Sequence, residues 1–349
     1  MFMRRRGRRL GMCGLWLCVA ALGFVSCGST ATGPSSSSNV AAPPGGVAQF
    51  SVSPIADPVT GSLTPLGNLN PPGHTVPSDH VYFYPQSLAG GNPFGGGART
   101  VYAPAKGAVS FVLNNGSEVK VGFQATSTFL YYFDHLTPRA SGLAVGTIVE
   151  AGEVVGTAAT TLDLGAWDTS VTLSGLISPE RYPYETLHCV SPWKYFTEPL
   201  RSQLYAKIYR APTAADKDGK IDVDIPGRLA GAWYESSLAK NSDSAGPNGW
   251  PRTLAFVYDM YDPSIVRISI GGTIAPAGVW GIDDTAPRPE NVSTANGLVA
   301  YRLRCPFQTN ATYGVMLVQM VSDAEIRVEV FVGATSASGF TSNALRYLR

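Results

Sequence analysis

Histidine is scarce in this chain. Its 349 residues hold four, His74, His80, His135 and His188, so any chemistry that needs imidazole must draw on these. Charge is sparse too: Asp, Glu, Lys and Arg make up 15% of the chain, against about 25% in ordinary soluble proteins. That argues against a fold of long charged helices. No basic patch suited to nucleic acid is present. A long apolar run occurs only near the start, from Leu10 to Val25. Of five cysteines, Cys13 and Cys18 fall within that run and Cys27 lies two residues beyond it, which leaves Cys189 and Cys305 as an even pair. Glycine (38) and proline (26) are abundant, and aromatic residues reach 10%. Such a composition favours many short strands joined by turns.

The first 26 residues read as a signal peptide. Arg4, Arg5, Arg6, Arg8 and Arg9 precede the apolar run, which is too short for a membrane span. Phe24-Val25-Ser26-Cys27 resembles a bacterial lipobox, which implies lipid on Cys27. Residues 27–46, rich in Ser, Pro, Gly and Ala, cannot bury enough apolar surface to fold and serve as a tether. Gly28 after the cysteine resembles lipoproteins sent to an outer membrane. The expected location is therefore the cell envelope, anchored by lipid and facing the periplasm or the surface. Removing the five leader arginines leaves 21 Lys+Arg against 25 Asp+Glu, a net charge of −4. In an oxidising compartment the pair Cys189 and Cys305 is expected to form a disulfide.

Along the rest of the chain the pattern is mainly β. Residues 47–190 hold strand candidates that end at Gly or Pro, with a hairpin over Val109–Phe123 turning at Asn114-Asn115-Gly116. Residues 191–226 form a short helical brace, predicted over Ser191–Arg210, followed by an acidic turn. Ser191-Pro192 reads as the helix start, with a restart near Thr197. Asp216 to Asp224 match a calcium loop only in part, because Ile225 stands where a bidentate glutamate is needed; a solvated interdomain turn is the simpler expectation. From 227 to 349, eight evenly spaced strand candidates predict a C-terminal antiparallel barrel or sandwich. They are 232–235, 254–258, 266–270, 278–282, 298–304, 314–320, 326–332 and 344–348. Gly231-Ala232-Trp233-Tyr234-Glu235 resembles the first-strand signature of lipocalins.

Four segments share one further likeness: Val101-Tyr102-Ala103-Pro104-Ala105-Lys106-Gly107-Ala108-Val109, Tyr131-Tyr132-Phe133-Asp134-His135-Leu136, Gly146 to Gly156, and Leu162-Asp163-Leu164-Gly165. In this order they resemble the β-sandwich core of lysostaphin-like zinc endopeptidases, which cut peptidoglycan cross-bridges. The likeness covers about residues 70–170 and implies an N-terminal peptidase-like β-sandwich. A biotinyl-carrier sandwich shares the hairpin pattern but needs a lysine at a hairpin tip, and Lys120 lies inside Val119-Lys120-Val121.

The family holds zinc with two His and one Asp, and the remaining histidines serve the attacking water and the transition state. Here His135 matches the mid-sequence catalytic histidine. The late His-x-His pair is replaced by Thr161-Leu162-Asp163, with Asp163 nearest a ligand position. His74 and Asp79 stand five apart where the family has four, and His80 follows directly. Two readings stay open. In one the zinc has been lost and the module binds or organises cell-wall material or an envelope protein without catalysis. In the other, His74, Asp79 or His80, and Asp163 form a rewired zinc site of a divergent peptidoglycan endopeptidase, with His135 catalytic. The first leads, because a catalytic zinc site keeps at least two neutral imidazoles.

Overall fold

The structure is a computed structural model that describes residues 46–56, 62–85, 97–306 and 311–349. The signal peptide, Cys27 and the tether up to residue 45 lie outside the described residues. Among the described residues no helix is long and apolar enough to cross a membrane.

The first half is built from β1 (Ser62–Leu63), β2 (His80–Tyr84), β3 (Arg99–Tyr102), β4 (Gly107–Asn115), β5 (Glu118–Gln124), β6 (Phe129–Arg139), β7 (Ile148–Val149) and β8 (Val154–Asp168). The strands pair in the order β1-β2-β8-β6-β5-β4-β7, and β3 also pairs with β8. β8 organises the sheet. Its first half takes β3 and its second half takes β2 on one edge, while β6 runs along the other. The predicted hairpin is β4–β5, turning at Gly116 with φ 62°, a conformation that favours glycine.

Alternation along these strands separates two faces. Val81, Phe83, Leu162, Leu164, Phe133 and Phe123 enter one core, and the curled sheet brings Val101, Val109 and Val149 into it as well. His80, Tyr82, Asp163, Gly165, Tyr132 and Asp134 occupy the opposite positions.

The helical brace closes the apolar side but is shorter than predicted. A 3-10 turn covers Pro192–Tyr195, and the helix α1 spans only Leu200–Lys207. The reason lies at Phe50, whose N–H donates to Tyr195 O and whose O accepts from Thr197 N, so the chain between turn and helix is drawn into a parallel bridge. Ser191 does not cap; its hydroxyl donates to Asp218 at 2.6 Å. Trp193, Phe196, Leu204 and Ile208 complete the core.

The acidic turn is not solvated as expected. Asp218 also accepts from Tyr205 OH, and Asp224 accepts the backbone N–H groups of Ile177 and Ala232, both at 2.9 Å. These carboxylates hold backbone and hydroxyl donors in place. The expected Cys189–Cys305 disulfide is also corrected. Cys189 is a free, buried thiol that donates to Asp79 O. It packs in the first core, whereas Cys305 belongs to the second.

All eight C-terminal strand predictions hold: β9 (Gly231–Glu235), β10 (Thr253–Tyr258), β11 (Val266–Ile270), β12 (Gly278–Trp280), β13 (Leu298–Arg304), β14 (Thr312–Ser322), β15 (Glu325–Val332) and β16 (Leu345–Leu348). They pair antiparallel in the order β12-β11-β10-β9-β16-β15-β14-β13. Gly281, just past β12, exchanges two hydrogen bonds of 2.9 Å with Arg304 of β13, so the two edges touch at one bridge and the sheet nearly closes into a barrel. Its interior is filled by Trp233, Phe256, Ile268, Tyr301, Met316 and Val328. At one end the buried Arg349 guanidinium lies 4.1 Å from the Trp233 ring centre and donates to the carbonyls of Ile225, Arg228 and Ala230. Cation–π contact and hydrogen bonding together make a charged side chain tolerable there.

Candidate functional site

The polar face of the first sheet gathers four of the five predicted site residues. Register does the first part of this work. Tyr82 and Asp134 lie on either side of Asp163, and His80 and Tyr132 lie on either side of Gly165. A Cβ on Gly165 would sit 2.1 Å from Cε1 of Tyr132. The bare backbone therefore lets the Tyr132 ring lean over β8, where its hydroxyl comes within 3.3 Å of both Asp79 Oδ1 and His80 Nδ1.

A bulge does the second part. Asp134 and His135 together face Lys120 of β5, and on the other side Ala159 to Leu162 span the gap opposite His135. His135 has φ 65° and is the one non-glycine residue with positive φ among the described residues. Left-handed backbone is uncommon for such a residue, and bulges recur where a side chain is re-aimed. Asp134 Oδ1 accepts the His135 N–H at 2.8 Å, which compensates the lost ladder bond.

The outcome is a chain of carboxylates and imidazoles. His80 Nδ1 lies 3.1 Å from Asp79 Oδ1, and its Nε2 lies 3.2 Å from Asp163 Oδ2 and 2.9 Å from the Tyr82 hydroxyl. His135 Nδ1 lies 2.6 Å from Glu118 Oε2, and its Nε2 lies 3.3 Å from the same Asp163 Oδ2. Thr186 OH donates to Asp79 Oδ2 at 2.9 Å. Asp163 Oδ1 is buried with no hydrogen-bond partner among the described residues.

Charges follow from these contacts. Asp163 raises the His135 pKa to about 11 against the cost of burial. Burial opposes charge at His80, yet Asp163 and Asp79 outweigh it and raise its pKa to about 9. Asp163 and Asp79 are deeply placed, which works against ionisation, but His135 and His80 hold Asp163, and His80 holds Asp79, well below the usual carboxylate range. The hydrogen bond from His135 lowers Glu118 as well. His74 stands apart. Its ring meets His80 edge-on with centres 5.0 Å apart. Burial and the neighbouring His80 push its pKa down to about 3, so it stays neutral.

The predicted residues thus come together in a different arrangement from the one the resemblance implied. Asp163 is central, His80 and His135 play matching parts, Asp79 stands behind His80, and His74 only touches its edge. Sequence reasoning missed Glu118, Tyr82, Tyr132 and Thr186. The alternation His80-Val81-Tyr82-Phe83-Tyr84 already placed Tyr82 beside His80 on one face. Nothing in the sequence marks Glu118 or Thr186.

As paired in this structure, these residues do not present a formed catalytic zinc site. A ligating imidazole must offer an unprotonated nitrogen. As paired here, both nitrogens of His80 and of His135 face carboxylates and carry protons, which a zinc ion would have to displace from Nε2. Among the described residues no group of three His, Cys, Asp or Glu side chains is arranged to hold a metal ion. On the side away from Asp163 a carboxylate, Asp79 or Glu118, orients each imidazole from behind.

No family model matches this chain, and no curated protein matches it. Solved structures do. Csd3 of Helicobacter pylori is similar at 13% identity and a TM-score of 0.30, over 43% of this chain and 34% of that one. A zinc-containing peptidase from Vibrio cholerae is similar at 19% identity and a TM-score of 0.26, over 35% of this chain and 37% of the other. The catalytic domain of the antimicrobial peptidase lysostaphin from Staphylococcus simulans is similar at 18% identity and a TM-score of 0.23, over 32% and 80%. This chain spans about a third of the length of Csd3. The likenesses are slight, and the fold rests on the strand pairing above.

Proposed function

We propose that this chain is an envelope lipoprotein whose peptidase-like sheet binds or organises cell-wall material, or an envelope protein, without cutting it. One observation carries this reading: Asp163 Oδ2 receives the Nε2 atoms of both His80 and His135, so two imidazolium groups and a carboxylate occupy the place where a hydrolytic metal would need neutral ligands. The network is half-buried and open to solvent on its His135 and Glu118 side, where each side chain keeps about a third of its surface. That geometry suits recognition. The lipid anchor on Cys27 and the outer-membrane location belong to the same proposal.

The test is binding against cutting. The full chain, extracted in detergent, is incubated with purified peptidoglycan sacculi; sedimented protein, released muropeptides and bound zinc are measured. Co-sedimentation with no fragment release and less than one zinc per chain is expected. Stoichiometric zinc with hydrolysis that disappears in Asp163→Ala would replace this reading with the divergent metallo-endopeptidase. Zinc without hydrolysis would mark a structural metal.

A further inference from the structure

The barrel is packed through its middle, but the end opposite Arg349 is less tightly closed. The connections 271–277 and 333–344 stand at that end, and between them lies a cleft of about 620 Å³. Small-molecule sites span about 300–1,000 Å³. Ile274, Val330 and Leu345 form an apolar wall that continues into the barrel core. Thr273, Thr341 and Glu329 line the polar side.

Glu329 gives the cleft its chemistry. The residue is 5% exposed and forms no ion pair with a basic side chain among the described residues; Arg327, two positions before it on β15, donates instead to Thr341 O at 3.3 Å. Thr341 donates its N–H to one carboxylate oxygen at 2.7 Å and its hydroxyl to the other at 2.5 Å. Each oxygen of an ionised carboxylate can accept more than one hydrogen bond, so capacity remains on both. A negative charge in a partly desolvated cleft repels an anion and attracts a cation more strongly than it would in water.

We propose that this end of the barrel binds a small amphiphile with a cationic, donor-bearing head, an alkylammonium rather than an alkyl carboxylate. The head sits against Glu329, and the chain lies along Ile274, Val330 and Leu345. The site is in the other half of the molecule from the His–carboxylate network and stands or falls independently of the function proposed above.

Isothermal titration calorimetry of the full chain at pH 7 tests it, with decylamine and decanoate as probes below their micelle concentrations. Decylamine should bind at least about tenfold tighter than decanoate, a difference of about 1.4 kcal/mol. Glu329→Gln keeps an acceptor for Thr341 and should bring the two affinities together. Ile274→Trp fills the cleft from a loop and should weaken decylamine binding about tenfold or more with an unchanged circular dichroism spectrum. Equal affinity for the two probes, no binding of the amine, or unaltered binding in Ile274→Trp would overturn the proposal. Should Glu329→Gln fail to fold, the comparison of probes on the unaltered chain decides alone.

Discussion

Asp163 is the residue on which the site turns, because a single oxygen serves two imidazolium groups. Removing a partner from a buried ion pair leaves an uncompensated charge behind. Asp163→Asn should therefore destabilise the first half by about 3 kcal/mol, read from the urea midpoint. The direction of the pKa shifts also fixes a pH profile. His80 and His135 gain pKa on folding, so their contribution is complete below about 6.5, the unfolded value. It is lost as pH rises through about 9 at His80 and about 11 at His135. Asp163 is depressed, so its contribution is complete above about 3.9 and is lost as pH falls below that. Midpoints measured from pH 4 to 10 should fall on the alkaline side, and Asp163→Asn should flatten that fall. A wild-type midpoint that rises toward pH 9 would contradict the two imidazolium groups.

At the scale of elements, β8 decides what its neighbours can do. Its glycine at 165 gives Tyr132 the room to reach Asp79 and His80. Gly165→Ala would place a methyl group inside the Tyr132 ring, and overpacking of this kind costs about 1–3 kcal/mol. The expected outcome is a lower melting temperature together with altered His80 imidazole resonances in NMR spectra, because the hydroxyl of Tyr132 must move. Unchanged His80 signals would mean that Tyr132 plays no part in holding that ring. The bulge at His135 is the second element-level device, and it turns a strand residue toward Asp163 that regular pleating would have aimed elsewhere.

At the scale of the molecule, a curled sheet and a nearly closed barrel meet through a small shared cluster. Leu176 and Tyr182 from the first half pack against Ala232 and Tyr234 of β9. The Arg181 guanidinium lies 4.6 Å from the Tyr234 ring centre and donates to Ala239 O and Ser244 Oγ. Lipid on Cys27 would tie this assembly to a membrane through a flexible segment. Cys27→Ala should release the protein from membranes or leave it unprocessed, which fractionation and an acyl label would report. Normal membrane recovery with full label would end the lipoprotein reading.

The eight barrel strands were legible one by one, because each carries its own alternation and ends at its own turn residues, and these are local properties. The same holds for the β4–β5 hairpin. Local signals do not carry the closing contact between Gly281 and Arg304, which depends on how far eight strands twist and shear before the edges meet. Nor could they show the helix cut short at Phe196, since Phe50 interrupts it from far away in the sequence. The pairing expected of Cys189 and Cys305 rested on an even count, and packing into two separate cores overruled it. At the site, residue types named His74, Asp79, His80, His135 and Asp163. Only the register of β2, β6 and β8 with the bulge at His135 decided that His80 and His135 converge on Asp163, because contact between side chains is a property of strand neighbours and not of spacing along the chain.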